Sequence, residues 1–186
     1  VNTEEVDLLE NQSSSKIIDR DFDLYIIAAG LLKNKKQKND SLEKLDILKV
    51  NYISLISWIN SIVTHERTNR KGALWVFSSV AADKGRPSNY AYGSAKAGLN
   101  AYLQGLRARL WRTGSYVTTV KAGFIDTDMT FGMPGMFLVA TPSACAEACL
   151  ALAYKGREVA YFPWFWRYIM LIIRTIPECI FKKMNI

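Results

Sequence analysis

Ser78-Ser79-Val80-Ala81-Ala82-Asp83-Lys84-Gly85-Arg86-Pro87-Ser88-Asn89-Tyr90-Ala91-Tyr92-Gly93-Ser94-Ala95-Lys96 is the stretch on which the reading of this chain turns. Residues 73–78 (ALWVFS) before it read as a buried strand. A polar turn with Gly85 and Pro87 follows, and then a helix expected over 90–112, with Gly114 as its stop. Tyr92 and Lys96 are four positions apart, so a helix puts both on one face. An ammonium beside a phenol favours the phenolate and lowers its pKa. A tyrosine so placed can act as a general acid or base near neutral pH. Ser79 stands at the strand end, where open α/β sheets hold their ligands. Its hydroxyl can donate to a carbonyl oxygen as that oxygen gains charge. A lone Tyr-x-x-x-Lys is common by chance. The ordered combination of strand, serine, turn, helix, tyrosine and lysine is much more specific, and Tyr90 has no lysine four residues later.

Working outward, residues 24–28 (LYIIA) form a short apolar run that ends at Gly30 and predicts a buried strand entering a turn. Asp40 and Glu43 resemble a capping box at the start of a long helix over 41–66. Residues 116–121 (YVTTVK) read as a strand. Thr141-Pro142 starts a helix that runs through 154 and ends near Gly156. Residues 158–162 (EVAYF) read as a last strand. Strands alternating with helices imply an α/β fold with a parallel sheet covered on both faces. The division expected is a domain over 1–162 and an apolar tail over 163–186.

With the pattern in this order, the chain resembles the short-chain dehydrogenase/reductase family, from about residue 5 to 162. The family places its serine 13 residues before the tyrosine, and Ser79 and Tyr92 keep that spacing. Asn51, in Lys49-Val50-Asn51-Tyr52, matches the family's fourth catalytic residue, which holds a water in a proton relay through the lysine. Ala29 and Gly30 match the family's Asn-Ala-Gly turn beside the cofactor, and Ala28 departs from its Asn. Gly123, Ile125 and Thr127 match the turn that holds the nicotinamide amide, and Ala122 departs from its Pro. Val6-Asp7-Leu8 resembles the strand whose Asp contacts the adenine. The resemblance implies a Rossmann-like doubly wound sheet and NAD or NADP as cofactor, NADP ahead of NAD. It also implies hydride transfer between that cofactor and a carbonyl or alcohol. It further implies a homodimer through the helices 41–66 and 90–112.

The chain shows no glycine-rich dinucleotide fingerprint. It begins with Val1 near the family's third strand, so the expectation is a product lacking the first two β-α units, with 24–28 as an exposed sheet edge. We expect such a chain to bind NAD(P) weakly or not at all, and to be inactive by itself. The competing expectation is a non-catalytic Rossmann-like scaffold that kept the helices for association.

Composition narrows the field. Hydrophobic residues at 49% and charged residues at 22% exclude a disordered chain. A net charge of +7 raises nucleic acid or anionic membrane as partners. The basic residues Lys33, Lys35, Lys36 and Lys38 are not interleaved with aromatics, which argues against base stacking and hence against nucleic acid. Cys145, Cys149 and Cys179 are odd in number and lack CxxC spacing, so neither a disulfide framework nor a zinc site is expected, and a reducing, cytoplasmic setting is. His65 is the sole histidine and is expected to be solvated, which leaves no metal cluster or serine-histidine triad to build.

The tail Phe162-Pro163-Trp164-Phe165-Trp166-Arg167 and onward to Lys183 is too interrupted to span a bilayer. Arg167, Arg174 and Glu178 are expected on one helical face, among aliphatic and aromatic residues, as in a helix lying at a membrane interface. The alternative is a helix packed on the domain or on a second subunit. Tail and motifs together resemble reductases related to the decaprenylphosphoryl 2-keto-pentose reductases. That resemblance implies a lipid-linked sugar substrate and a peripheral position at the inner face of the membrane.

Overall fold

Four runs rich in β-branched and aromatic residues pair as one parallel sheet in the order β1-β2-β3-β4. They are β1 (Leu24–Ile27), β2 (Ala73–Ser79), β3 (Tyr116–Ala122) and β4 (Val159–Phe162). The structure is a computed structural model that describes residues 6–9, 22–32, 40–69, 72–130, 136–153 and 156–184. The lysines expected in a loop at 33–38 and the side chain of His65 lie outside the described residues. Register decides where the loops emerge. Leu24 pairs with Ala73, Ala73 with Tyr116, and Ser79 with Ala122. The end of β2 and the turn after β3 therefore leave the sheet side by side.

Alternation along the strands feeds two cores. Tyr25, Ile27, Leu74, Val76 and Val117 pack with Leu55, Ile59, Leu99 and Leu103 of the two long helices. Trp75, Val120 and Phe162 point to the other face and meet Cys145 and Cys149. Both cysteines are thus small apolar core residues, whereas Cys179 is exposed. The helices are α1 (Asp40–Leu48), α2 (Ser54–Asn69), α3 (Tyr90–Leu110) and α4 (Pro142–Ala153). The result is three layers, with the sheet in the middle, as the alternating pattern predicts. The rod Asp40–Thr64 is long and apolar enough to cross a membrane. Its Leu55, Ile59, Ile62 and Val63 are nevertheless buried against the sheet, as in a core helix.

Three expectations need correction. The helix read over 41–66 is not one α-helix, because a π segment, Lys49–Ile53, joins α1 to α2. Asn51 is the physical reason. Its side-chain amide donates to the Ile47 carbonyl at 2.8 Å, the acceptor that an α-helix would give to its own backbone N–H. Val6-Asp7-Leu8 forms no strand. Asp7 is exposed, and its carboxylate accepts the Leu9 N–H at 2.8 Å, while Ser54 donates to the Leu8 carbonyl at 2.6 Å. Finally, the tail helix stops at Thr175 as α5 (Trp166–Thr175), and α6 (Glu178–Phe181) follows. Ile176 precedes Pro177 and is extended at φ −66°, ψ 122°, so Glu178 does not share the helix of Arg167 and Arg174.

Candidate active site

Ser79 ends β2 and caps the single turn of 3-10 helix Val80–Ala82, its Oγ accepting the Ala81 N–H at 3.1 Å. That bond fixes the oxygen and leaves the hydroxyl proton free to point at Tyr92, with which Ser79 shares a hydrogen bond. Close approach of α3 to the turn makes this possible. At Gly93, a Cβ would lie 2.9 Å from the Ala81 carbonyl oxygen, nearer than side chains tolerate. Gly93→Ala therefore pushes α3 off the turn and separates Tyr92 from Ser79. We expect a loss of about 1–3 kcal/mol, the usual range for overpacking, read as a lower urea midpoint.

Lys96, one helical turn on, is 2% exposed. Its Nζ donates to the Phe77 carbonyl at 3.1 Å and sits 5.8 Å from the centre of the Tyr92 ring. An ammonium carries three donors, and among the described residues the Phe77 carbonyl accepts one of them. A Cβ built on Gly30 would meet Asn51 Oδ1 at 3.0 Å and Lys96 Nζ at 3.5 Å. Gly30 therefore marks the point where Asn51 and Lys96 converge. Asn51 is fully buried and holds the turn after β1 from both sides. Its amide donates to the Leu31 carbonyl at 2.5 Å, and its oxygen accepts the Leu31 N–H at 3.1 Å. Tyr92, Lys96 and Asn51 thus lie near one another at the carboxyl end of the sheet, close to Gly30 and to the Ser79 turn.

Burial sets the electrostatics differently from the sequence-based expectation. It pushes the Tyr92 phenol up to about 12, and the Ser79 hydrogen bond offsets this in part. Burial also pulls Lys96 down to about 8. Both shifts come from desolvation, which here acts against the charged forms of the phenol and the amine. The pairing on one helical face is as expected, but desolvation outweighs it.

Three further sites were expected near the cofactor. Gly123 follows β3, and its N–H donates to the Phe162 carbonyl at 2.8 Å. The Ile125 carbonyl accepts the Thr130 hydroxyl at 2.5 Å, and the Thr127 hydroxyl lies 3.5 Å from the same oxygen. The turn 123–127 is thus internally bonded, beside Ser79 through the β2–β3 register. Asp7, by contrast, lies on the surface turn described above, away from this turn in the chain and bonded to its own segment.

The family model for short chain dehydrogenase matches residues 3–133, more than two thirds of the chain. The chain belongs to the short-chain dehydrogenase family. Among curated relatives of this short-chain dehydrogenase is an uncharacterized oxidoreductase of Mycobacterium tuberculosis (strain ATCC 25618 / H37Rv). It is 32% identical over 160 residues, which cover 86% of this chain and 64% of that protein. The 3-oxoacyl-[acyl-carrier-protein] reductase FabG of Chlamydia muridarum is 28% identical over 143 residues, 70% of this chain and 58% of that one. A solved short chain dehydrogenase from Burkholderia cenocepacia, in complex with NADP, superposes with a TM-score of 0.81 at 22% identity. That match covers 96% of this chain and 76% of the other, and it shows the fold. The chain spans somewhat less than two thirds of the length of its mycobacterial relative.

Sequence reasoning missed one polar cluster. Tyr161 on β4 donates to Asp83 Oδ2 at 2.7 Å, and Lys121 on β3 bonds Asp83 Oδ1 at 2.5 Å. Asp83 lies in the decisive stretch, but its partners sit 38 and 78 residues away, and no local spacing announces them. Burial and the Asp83 carboxylate raise the Tyr161 phenol, so it stays a donor.

Proposed function

We propose that this short-chain dehydrogenase is an NAD(P)-dependent oxidoreductase that interconverts a carbonyl and an alcohol, with NADP ahead of NAD. The observation that carries the reading is the convergence of Ser79, Tyr92 and Lys96 on one cleft, in a member of this family. A bound nicotinamide would supply the hydride. Tyr92 gives its proton to the carbonyl oxygen, and Ser79 donates a hydrogen bond to that oxygen as charge develops on it. The further donors of the Lys96 ammonium would suit the vicinal hydroxyls of a ribose, and this supports a dinucleotide as cofactor. Asn51 fixes the turn at Ala29 and Gly30 that would border it. Gly123, Ile125 and Thr127 would hold the nicotinamide amide. The NADP complex of the Burkholderia relative supports this cofactor.

The finer reading is a lipid-linked sugar as substrate, taken at an anionic membrane surface on the cytoplasmic side. Trp164, Tyr168, Leu171, Ile172 and Ile180 are exposed on the tail, among the exposed Arg167, Arg174, Lys182 and Lys183. Amphipathic aromatics with cations beside aliphatic side chains suit a lipid interface. Phe137, Leu138 and Val139 add exposed apolar surface, and the Phe137 ring lies 5.5 Å from that of Trp166. A homodimer through the rod 41–66 and α3 fits the exposed Leu42 and Leu45 on α1, Ile53 in the π segment and Tyr90 on α3.

Two experiments test this. The protein as its source produces it should consume NADPH with ketones or 2-keto sugars, and failure with every such substrate would count against the reductase. Replacing Trp164, Leu171 and Ile172 together by Ser leaves the buried tail residues intact. That variant should lose flotation with liposomes rich in phosphatidylglycerol, whereas equal flotation of both proteins removes the tail from the lipid argument.

A further inference from the structure

The tail reaches into the catalytic site from behind. Trp166 is 1% exposed, and a Cβ on Gly123 would fall 2.0 Å from its Nε1. The indole is therefore seated directly on the first residue of the turn expected to hold the nicotinamide amide. The Trp166 ring also meets the Phe124 ring edge-on at 5.8 Å. Val80, the residue after Ser79, packs with Trp166 and Met170 in one buried cluster. Three more residues of the same turn are tied down from this side. Asp83 takes the Tyr161 hydroxyl. Lys84 Nζ donates to the Ile176 carbonyl at 3.0 Å and lies 5.0 Å from the centre of the Phe181 ring. Arg86 reaches the Met170 sulfur at 3.7 Å.

We infer that α5 and α6 form a clamp that holds the Ser79 turn and the 123–127 turn at a fixed spacing, and that Trp166 is its positioning residue, acting through Gly123. The clamp rests on the reductase reading for its purpose, and on the contacts above for its existence. β2 and β3 deliver the two turns side by side, but beyond Ser79 and Ala122 the strand pairing ends. Past that point the spacing is set by whatever packs on both turns, and the tail does so. A hydride donor and a carbonyl held one on each turn are sensitive to such spacing, because geometry near the reacting atoms governs rate. Gly123 is then required by the indole.

The test compares Trp166→Leu, and the double variant with Gly123→Ala, against the unmodified protein. Hydrogen exchange should rise at the 123–127 and 80–86 amides by about tenfold or more in Trp166→Leu, with the amides of Trp75, Val76 and Val120 unchanged, as a local opening requires. Adding Gly123→Ala fills the space that the indole leaves and should restore part of the protection. Kinetics on the protein as its source produces it supply the second arm: Trp166→Leu should lower kcat about tenfold or more with the KM for NADPH changed less than about threefold, the signature of lost geometry and not of lost binding. Exchange that rises uniformly, or not at all, overturns the clamp, and so does an unchanged kcat. If the protein as its source produces it turns over no substrate, the reductase reading fails alone, and the exchange pattern still decides the clamp.

Discussion

Tyr92→Phe is expected to lower kcat for carbonyl reduction by about 10²- to 10⁴-fold, the usual worth of a positioned general acid. The variant removes one oxygen and keeps the ring, so the packing of α3 against the 3-10 turn survives. Ser79 loses a partner but keeps its bond from the Ala81 N–H. The stability loss should therefore stay near that of one hydrogen bond, about 1 kcal/mol. Since burial pushes the phenol up to about 12, Tyr92 is protonated throughout the neutral range. Reduction needs that protonated form, so its rate should not fall from Tyr92 ionisation between pH 6 and 9 by order of magnitude. Alcohol oxidation needs the phenolate and should speed up as pH rises through the same range. Steady-state kinetics in both directions check this. A Tyr92→Phe protein with unchanged turnover would remove Tyr92 from the chemistry.

Lys96→Met should weaken catalysis and strengthen the fold. Lys96 is buried, and burial pulls its pKa from the ordinary 10.5 down to about 8. Below about pH 8 the amine is protonated in both folded and unfolded chains, so the burial penalty is present in full. Between about 8 and 10.5 the unfolded chain binds more protons, and stability rises with pH. Above that window the penalty is gone. A shift of this size corresponds to roughly 3 kcal/mol at neutral pH, at about 1.4 kcal/mol per pH unit. Methionine fills the same volume without charge and gives up the bond to the Phe77 carbonyl, worth about 1 kcal/mol. The net expectation at pH 7 is a gain of about 1–3 kcal/mol in urea unfolding, turning into a loss of about 1 kcal/mol near pH 11, with turnover down about 10²-fold or more. A destabilised Lys96→Met protein at pH 7 would show that the amine is already compensated.

These outcomes separate what local sequence carries from what it does not. β2, Ser79, α3, Tyr92 and Lys96 are contiguous, so periodicity and spacing located them together, and the register of β2 on β3 then placed Gly123 beside Ser79. The parallel sheet was readable for the same reason, because each strand is a short apolar run between helical patterns. Three things were not. The π segment at Asn51 goes with a side-chain bond to the Ile47 carbonyl, in a residue that also holds Leu31, twenty residues earlier, and no helical pattern encodes that. The pKa values of Tyr92 and Lys96 depend on burial, which neighbouring charge alone underestimates. The tail read as an amphipathic helix with one apolar face, and the structure divides its apolar residues. Trp166, Met170 and Phe181 are buried beneath the Ser79 turn and the 123–127 turn, while Trp164, Leu171 and Ile172 remain exposed. Long-range packing of this kind leaves no trace in spacing.

Isotope transfer tests the central claim most directly. The protein as its source produces it is incubated with NADPH deuterated at both C4 positions and a panel of ketones and 2-keto sugars. The account predicts deuterium on the carbinol carbon of the product, and a rate of its appearance that collapses in Tyr92→Phe. Transfer at equal rates by both proteins, or product alcohol carrying no deuterium, would contradict it.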